Sequence, residues 1–167
     1  NASNVLYRQA VLGYQYAVKN RFPFNAYDAV MKYEVTYNQN CHLSMYDDEY
    51  EYTGGAHGNT LRSSDTWSLF DGCALSMAAF FEPDQDYRGI LLPLLIRQAD
   101  QNIQDNPGIY FEEYRDLIVQ NFNEENYYLT PEGLAIYFQQ YEIAPYSTGI
   151  VVFTIPYETL GWAPCCK

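Results

Sequence analysis

The hydrophobic positions of the first 40 residues change from a helical to an alternating period. Apolar residues recur at every third or fourth position over residues 4–20, which predicts a helix with Asn4 as its cap. A proline within residues 21–25 ends this pattern. Apolar and polar residues then alternate over residues 29–37, as they do in a half-buried strand. The chain is therefore predicted to open with a helix followed by a strand.

Two further strands are predicted after a polar turn at residues 38–40. The returning strand of a hairpin covers residues 41–52, and a third strand covers residues 60–70 and ends at the turn pair Asp71-Gly72. Between them lies Thr53-Gly54-Gly55-Ala56-His57-Gly58. Three glycines within five positions predict a tightly constrained corner between two strands, because glycine permits positive φ and close backbone approach.

Two helices are predicted next, each with an apolar stripe that should face a core. The first opens at Pro83 and ends before Asn106, and the second covers residues 110–122. Pro93 interrupts the first stripe, so this helix either kinks at Pro93 or begins near Leu92.

Three strands and a short helix complete the pattern. The strands cover residues 127–129, 134–140 and 150–155, and the last is apolar enough to be a central strand covered on both faces. A helix from Pro156 is stopped by Gly161. These elements predict an α+β fold: a single domain over residues 1–167, with an antiparallel sheet and helices packed on one face.

Composition and charge narrow the class of protein. The chain has 167 residues, of which 48% are hydrophobic and 17% aromatic, which is enough for a folded core. The 18 tyrosines suit either ordinary packing or a binding surface. The formal charge of −12 disfavours binding to nucleic acid and favours a basic protein or a cation as partner. An acidic surface can also do no more than keep a protein in solution.

The four cysteines, Cys41, Cys73, Cys165 and Cys166, predict disulfides if the chain is exported. Their even number permits two disulfides in three connectivities, including a strained ring between the adjacent pair. The spacing fits no zinc template, so no metal or cofactor is expected.

The chain contains no apolar run of the ~18 residues that a membrane span needs. It also begins without a methionine or a charged and apolar leader. We therefore expect any signal peptide or membrane anchor to lie upstream of residue 1.

His57 is the first candidate for chemistry, since histidine moves protons near neutral pH. A structural role is the alternative, in which His57 bonds to the backbone or to a tyrosine hydroxyl and fixes the corner. The common enzyme motifs for phosphate loops, nucleophile elbows and zinc helices are absent from the sequence. We therefore expect no catalysis and a structural His57.

The acidic run before the corner is the second candidate, and its proposed binding residues are Tyr46, Asp47, Glu49, Tyr50 and Glu51. Tyrosines anchor contacts at low entropic cost, and carboxylates steer basic partners. The alternatives are a carboxylate pair of the kind that glycosidases use, or a solvated face without function.

Three blocks of the sequence, in order, resemble the extracytoplasmic DUF3298 family and the PdaC-like DUF4163 region that often precedes it. They are YEYTGGAHGNT at residues 50–60 with the following Arg62-Ser63-Ser64, LTPEGL at 129–134, and YEIAPYSTG at 141–149. The resemblance places the PdaC-like part at about residues 1–55 and the DUF3298-like part at about 56–160. It also marks structural motif residues, which are Gly54, Gly55, His57, Gly58, Tyr141, Pro145, Tyr146 and Gly149.

The resemblance implies a role in the bacterial envelope, either secreted or anchored to the membrane. Such domains occur in RsiV-type anti-sigma factors, which bind lysozyme, and in PdaC-type peptidoglycan deacetylases, whose catalytic domain has no counterpart in this sequence. The expectation is a non-catalytic sensing or binding module for lysozyme or cell-wall material. The alternatives are a cell-wall hydrolase, an accessory domain of a deacetylase, and a structural spacer.

Overall fold

The computed structural model describes residues 2–166, with side chains from residue 4 onward. The main helices and strands follow one another in the order that the sequence predicts, and the α+β class is confirmed. The elements are α1 (Ala2–Asn20), β1 (Asp28–Gln39), β2 (His42–Tyr52), β3 (Asn59–Ser68), a 3-10 helix (Met77–Phe80), α2 (Tyr87–Asp105), α3 (Tyr114–Asn121), β4 (Tyr127–Leu129), β5 (Gly133–Phe138), a second 3-10 helix (Tyr146–Thr148), β6 (Val151–Pro156) and α4 (Tyr157–Leu160).

The strands form two three-stranded sheets, ordered β1-β2-β3 and β4-β5-β6. In the second sheet both pairings are antiparallel, with Ile136 of β5 opposite Tyr127 on one side and Phe153 on the other. All six residues of β5 are buried, whereas burial alternates along β6. The prediction that β6 is the central, doubly covered strand is therefore wrong. That position belongs to β5, because among the described residues β6 has a strand neighbour on one side only.

Contacts divide the chain into two compact units. One comprises Asn1–Lys32 and Asp48–Leu61, and the other comprises Tyr33–Asp47 and Arg62–Lys167. The predicted single domain, with parts at about 1–55 and 56–160, stays a prediction.

The first unit contains α1 and a small aromatic cluster. The ring of Phe24 lies 5.5 Å from that of Tyr14 on α1 and 5.6 Å from that of Tyr27. The predicted helix is confirmed, but the cap is wrong, because the helix begins at Ala2 and Asn4 lies inside it.

Strand β1 forms where the alternation predicts it, but its predicted half burial is wrong. Met31 is 65% exposed, Tyr33 is 73% exposed, and Tyr37 is the buried hydrophobic residue of the strand. Alternation correctly gave the extended backbone, but it could not show whether another layer covers either face.

The main core lies in the second unit. Helix α2 contributes Leu91, Leu95 and Ala99, and α3 contributes Ile118, all 0% exposed. Both helices therefore face a core, as predicted. Pro93 lies inside α2, which starts at Tyr87, so the alternative start near Leu92 is wrong.

One disulfide joins Cys41 to Cys166. Cys73 and Cys165 are free and exposed, so the expectation of two disulfides is wrong for this structure, and the adjacent pair does not form a ring. Sequence spacing could not select this pair, since its members are 125 positions apart. In the part of the chain that the structure describes, no helix is both long and apolar enough to cross a membrane.

Candidate functional site

The glycine corner between β2 and β3 is fixed by two contacts within the first unit. Gly54 has a φ of +87°, which favours glycine, and its carbonyl accepts a hydrogen bond of 3.2 Å from the Asn25 side chain. Gly58 is buried beneath the ring of Tyr50, and a Cβ atom at Gly58 would lie 2.3 Å from that ring. Gly55 has no such neighbour. The corner therefore requires glycine at positions 54 and 58 for different reasons.

His57 is exposed at this corner, and its Nδ1 lies 2.9 Å from the carbonyl oxygen of Gly58. A carbonyl oxygen only accepts, so a hydrogen bond here has Nδ1–H as its donor and leaves Nε2 as an acceptor. This is the kind of backbone contact on which the structural interpretation depends. The structural role of His57 itself stays a prediction.

Tyr46, at the start of the acidic run, is held by three neighbours within the second unit. Its hydroxyl donates a 2.6 Å hydrogen bond to Glu34, the Arg62 guanidinium lies 3.7 Å from its ring centroid, and the ring of Tyr128 is 5.2 Å away. Burial, followed by the bond to Glu34, raises the pKa of Tyr46 to about 12. Tyr46 is thus a neutral, packed side chain with its hydroxyl already bonded.

Asp47 and Arg62 are also fixed by local bonds. Asp47 accepts a 3.0 Å bond from the Ser63 hydroxyl. The backbone of Arg62 exchanges two bonds with the Gln139 side chain, at 3.0 Å and 2.7 Å. Asp47 and Tyr46 therefore have partners within the protein, which reduces what they offer to another molecule.

Glu49 and Glu51 differ from the other predicted binding residues, because both are exposed and lie two positions apart on β2. Side chains two positions apart on a strand project from the same face. Within residues 2–166, neither carboxylate takes part in an ion pair or a hydrogen bond. Tyr50 lies between them in sequence and is half-buried against Gly58. The binding role of all five predicted residues stays a prediction, and these two carboxylates are the most available of the five.

The third block of the resemblance, Tyr141 to Gly149, forms a connector between β5 and β6. Tyr141 has a φ of +67°, and its ring lies 5.9 Å from that of Tyr146. Pro145 caps the second 3-10 helix, which ends at Gly149 with a φ of +76°. The structural role of this block stays a prediction.

The second unit also contains an aromatic cleft that no sequence pattern indicates. It has a volume of about 400 Å³, and Phe80, Phe81, Trp162 and His42 contribute to its lining. These residues come from parts of the chain more than 35 positions apart, so periodicity gave no signal. The adjacent Phe80-Phe81 pair was the one local hint.

Among the described residues, no group of three or more His, Cys, Asp or Glu side chains is placed to hold a metal ion.

Two family models match different parts of the chain. The model described as "Protein of unknown function (DUF3298)" matches residues 78–158, and the model described as "Deacetylase PdaC" matches residues 2–60. A comparison with curated proteins found no match.

Solved structures of the same family resemble the fold. A DUF3298 family member from Bacteroides fragilis NCTC 9343 is 26% identical, with a TM-score of 0.65 over 89% of this chain and 59% of that one. A DUF3298 family protein from Pseudomonas aeruginosa PAO1 is 20% identical, with a TM-score of 0.62 over 87% of this chain and 66% of that one. The chain thus spans about three fifths to two thirds of the length of these proteins. It carries a DUF3298 domain over residues 78–158, preceded by a PdaC-type segment over residues 2–60.

Proposed function

We propose that this chain is a non-catalytic, extracytoplasmic binding module of a bacterial envelope protein, and that the exposed carboxylates of β2 capture a basic protein such as lysozyme. Extracytoplasmic placement is supported by the Cys41–Cys166 disulfide, because disulfides persist in oxidising compartments. The match to a family model named for a deacetylase supports a place near the cell wall.

One observation carries the choice of partner: Glu49 and Glu51 are exposed and have no bonding partner in the described chain. Their charges therefore extend into solvent instead of being neutralised by a neighbouring cation. The chain as a whole has a formal charge of −12, which adds a long-range attraction for basic proteins. Such a field raises association rates more than it lengthens the life of a complex.

The same geometry is a poor basis for glycoside hydrolysis. That reaction needs a carboxylic acid with a raised pKa opposite a second carboxylate, with room for the sugar between them. Glu49 and Glu51 are instead exposed to solvent on the same strand. The PdaC match favours one alternative, in which this chain is the accessory domain of a cell-wall deacetylase and binds cell-wall material.

Charge reversal on β2 tests the proposal. The variant Glu49→Lys/Glu51→Lys changes the net charge by four units at two exposed positions. We expect its affinity for a catalytically inactive lysozyme to fall by at least about tenfold at physiological salt, as steering is lost. Binding is measured by surface plasmon resonance, and the inactive lysozyme separates binding from cleavage.

The matched control is Glu112→Lys/Glu132→Lys, which makes the same change of net charge at two exposed positions outside β2. We expect it to reduce affinity much less, because the local field at β2 remains. Equal losses in both variants would show that only the net charge matters. Unchanged binding in the β2 variant, or no lysozyme binding by the unmodified chain, would contradict the proposed surface.

A further inference from the structure

The aromatic cleft of the second unit is built where three remote segments meet. Its lining residues lie at the β1–β2 turn (41–42), between the end of β3 and the residues after the first 3-10 helix (68–85), and from the end of α4 onward (160–165). Its volume of about 400 Å³ falls in the range of small-molecule pockets, which is roughly 300–1,000 Å³.

Aromatic rings form the apolar part of the cleft. The rings of Phe80 and Trp162 are stacked at 5.3 Å with 18° between their planes, and Phe81 meets Trp162 edge-on at 5.7 Å. Phe70, which also lines the cleft, is 81% exposed. Exposed aromatic surface beside a packed aromatic wall is typical of a ligand site.

Polar side chains lie beside these rings and are oriented by their own bonds. His42 Nδ1 lies 2.6 Å from the Asn40 carbonyl oxygen, which can only accept, so Nδ1–H is the donor and Nε2 of a neutral ring is an acceptor. The Gln85 side-chain oxygen accepts from the Glu82 backbone N–H at 3.0 Å, so the Gln85 amide group is held with its NH₂ as a donor. The carboxylate of Glu82 is a further acceptor.

The indole N–H of Trp162 is a buried donor without a partner among the described residues. A buried donor left unpaired costs about 1–3 kcal/mol, so such groups are uncommon in native proteins and call for an explanation. The Trp162 ring itself lines the cleft, so the environment of this N–H reports on what the cleft holds.

The disulfide holds the cleft together. Residues 161–166, which follow α4, form no helix or strand, and Cys166 links this segment to Cys41 beside His42. Cys41 and Cys165 both line the cleft. The wall that carries Trp162 is therefore anchored through a bond that reduction can open.

We propose that this cleft binds a neutral saccharide. Sugar rings present C–H faces that pack on aromatic rings, and hydroxyls that both donate and accept, which matches the donors and acceptors of Gln85, His42 and Glu82. An anionic ligand would find no counter-charge, because none of the lining residues is Lys or Arg. A purely apolar ligand would leave the polar groups unpaired. The inference is independent of the acidic surface on β2.

The indole N–H resonances of the two tryptophans provide the test, with Trp67 as an internal control because it does not line the cleft. The resonances are assigned with Trp67→Phe, and the oxidised protein is titrated with cellotriose and with triacetylchitotriose. We expect one of these trisaccharides to shift the Trp162 resonance saturably, with a dissociation constant of about 0.1–5 mM, and to leave Trp67 in place.

Three variants locate the binding. Gln85→Ala should weaken it at least about tenfold, equivalent to one lost hydrogen-bonding group. Gln120→Ala, at an exposed position on α3, should leave it unchanged. Cys41→Ser/Cys166→Ser should weaken saccharide binding by freeing the segment that carries Trp162.

No saturable shift at Trp162 with either trisaccharide would overturn the proposal. So would a shift produced only by N-acetyltryptophanamide, which would assign the cleft to an aromatic side chain of a protein partner.

Discussion

The Cys41–Cys166 disulfide closes a loop of 125 residues, and removing it should lower stability measurably. The perturbation is Cys41→Ser/Cys166→Ser, which replaces both sulfur atoms so that neither half of the broken disulfide remains as a thiol. Chain-entropy arithmetic for a loop of this length gives about 5 kcal/mol as the ceiling of the effect. The loss arises because the unfolded chain regains the freedom that the cross-link removed.

The expected loss of stability is smaller than this ceiling, because the folded variant also gains conformational freedom. Residues 162–166 have no helix or strand, so the tail of the folded variant also gains freedom when the cross-link is absent. That gain stabilises the folded variant and offsets part of the loss. Trp162 and the buried Pro164 still hold the tail by packing, so we expect a net loss of about 3 kcal/mol, a factor of about 100 in the folding equilibrium.

Urea unfolding followed by circular dichroism measures the change. The matched control is Cys73→Ser/Cys165→Ser, which removes the two free thiols and should leave the urea midpoint within experimental error of the unmodified chain. Alkylation without reductant should label two cysteines, and four after reduction. Four labelled cysteines without reductant would show that the disulfide is absent, and a disulfide-free variant as stable as the control would show that the cross-link does not stabilise the fold.

Two further predictions concern single side chains. Gly58→Ala should destabilise the first unit by about 1–3 kcal/mol, because its Cβ overlaps the Tyr50 ring, whereas Gly55→Ala should be nearly neutral; equal melting temperatures for the two variants would contradict this. Burial raises the pKa of Glu142, although the Gln139 backbone N–H donates a hydrogen bond of 2.7 Å to its carboxylate, which lowers the pKa. Because the folded pKa is raised, the stability linked to this carboxyl is present at low pH and is lost as pH rises through the folded pKa. The melting temperature of Glu142→Gln relative to the unmodified chain should therefore rise as the pH is raised from the ordinary carboxyl range toward neutrality, and a difference that stays constant with pH would contradict a raised pKa of this half-buried carboxyl.

Local pattern was enough to predict most elements of the fold. The helix α1, the strands of the first hairpin and the short strand β4 follow from periodicity and from turn residues, which act over a few positions. Burial was harder to predict, since it depends on which layer covers an element. For that reason β1 is more exposed than its alternation suggested, and β5 takes the covered position expected of β6.

The candidate sites also separate into features within one segment, which the sequence could locate, and contacts between remote residues, which it could not. The sequence located the corner at Gly58 and the exposed carboxylates Glu49 and Glu51, because each lies within one short segment. It could not show that Tyr50 is packed against Gly58. It also could not bring Trp162 and Phe80 together, since their contact depends on the path of the chain over 80 residues.

The salt dependence of association with catalytically inactive lysozyme is the most direct test of the proposed function. Attraction between charges is screened over a Debye length of about 30 Å at 0.01 M salt and about 8 Å at 0.15 M. We expect the association rate constant to fall at least about tenfold over this range, while the dissociation rate constant changes little. In Glu49→Lys/Glu51→Lys, the slope of the association rate against salt should become much shallower. An association rate that is independent of salt, or a slope that these reversals leave unchanged, would contradict capture of a basic partner by β2.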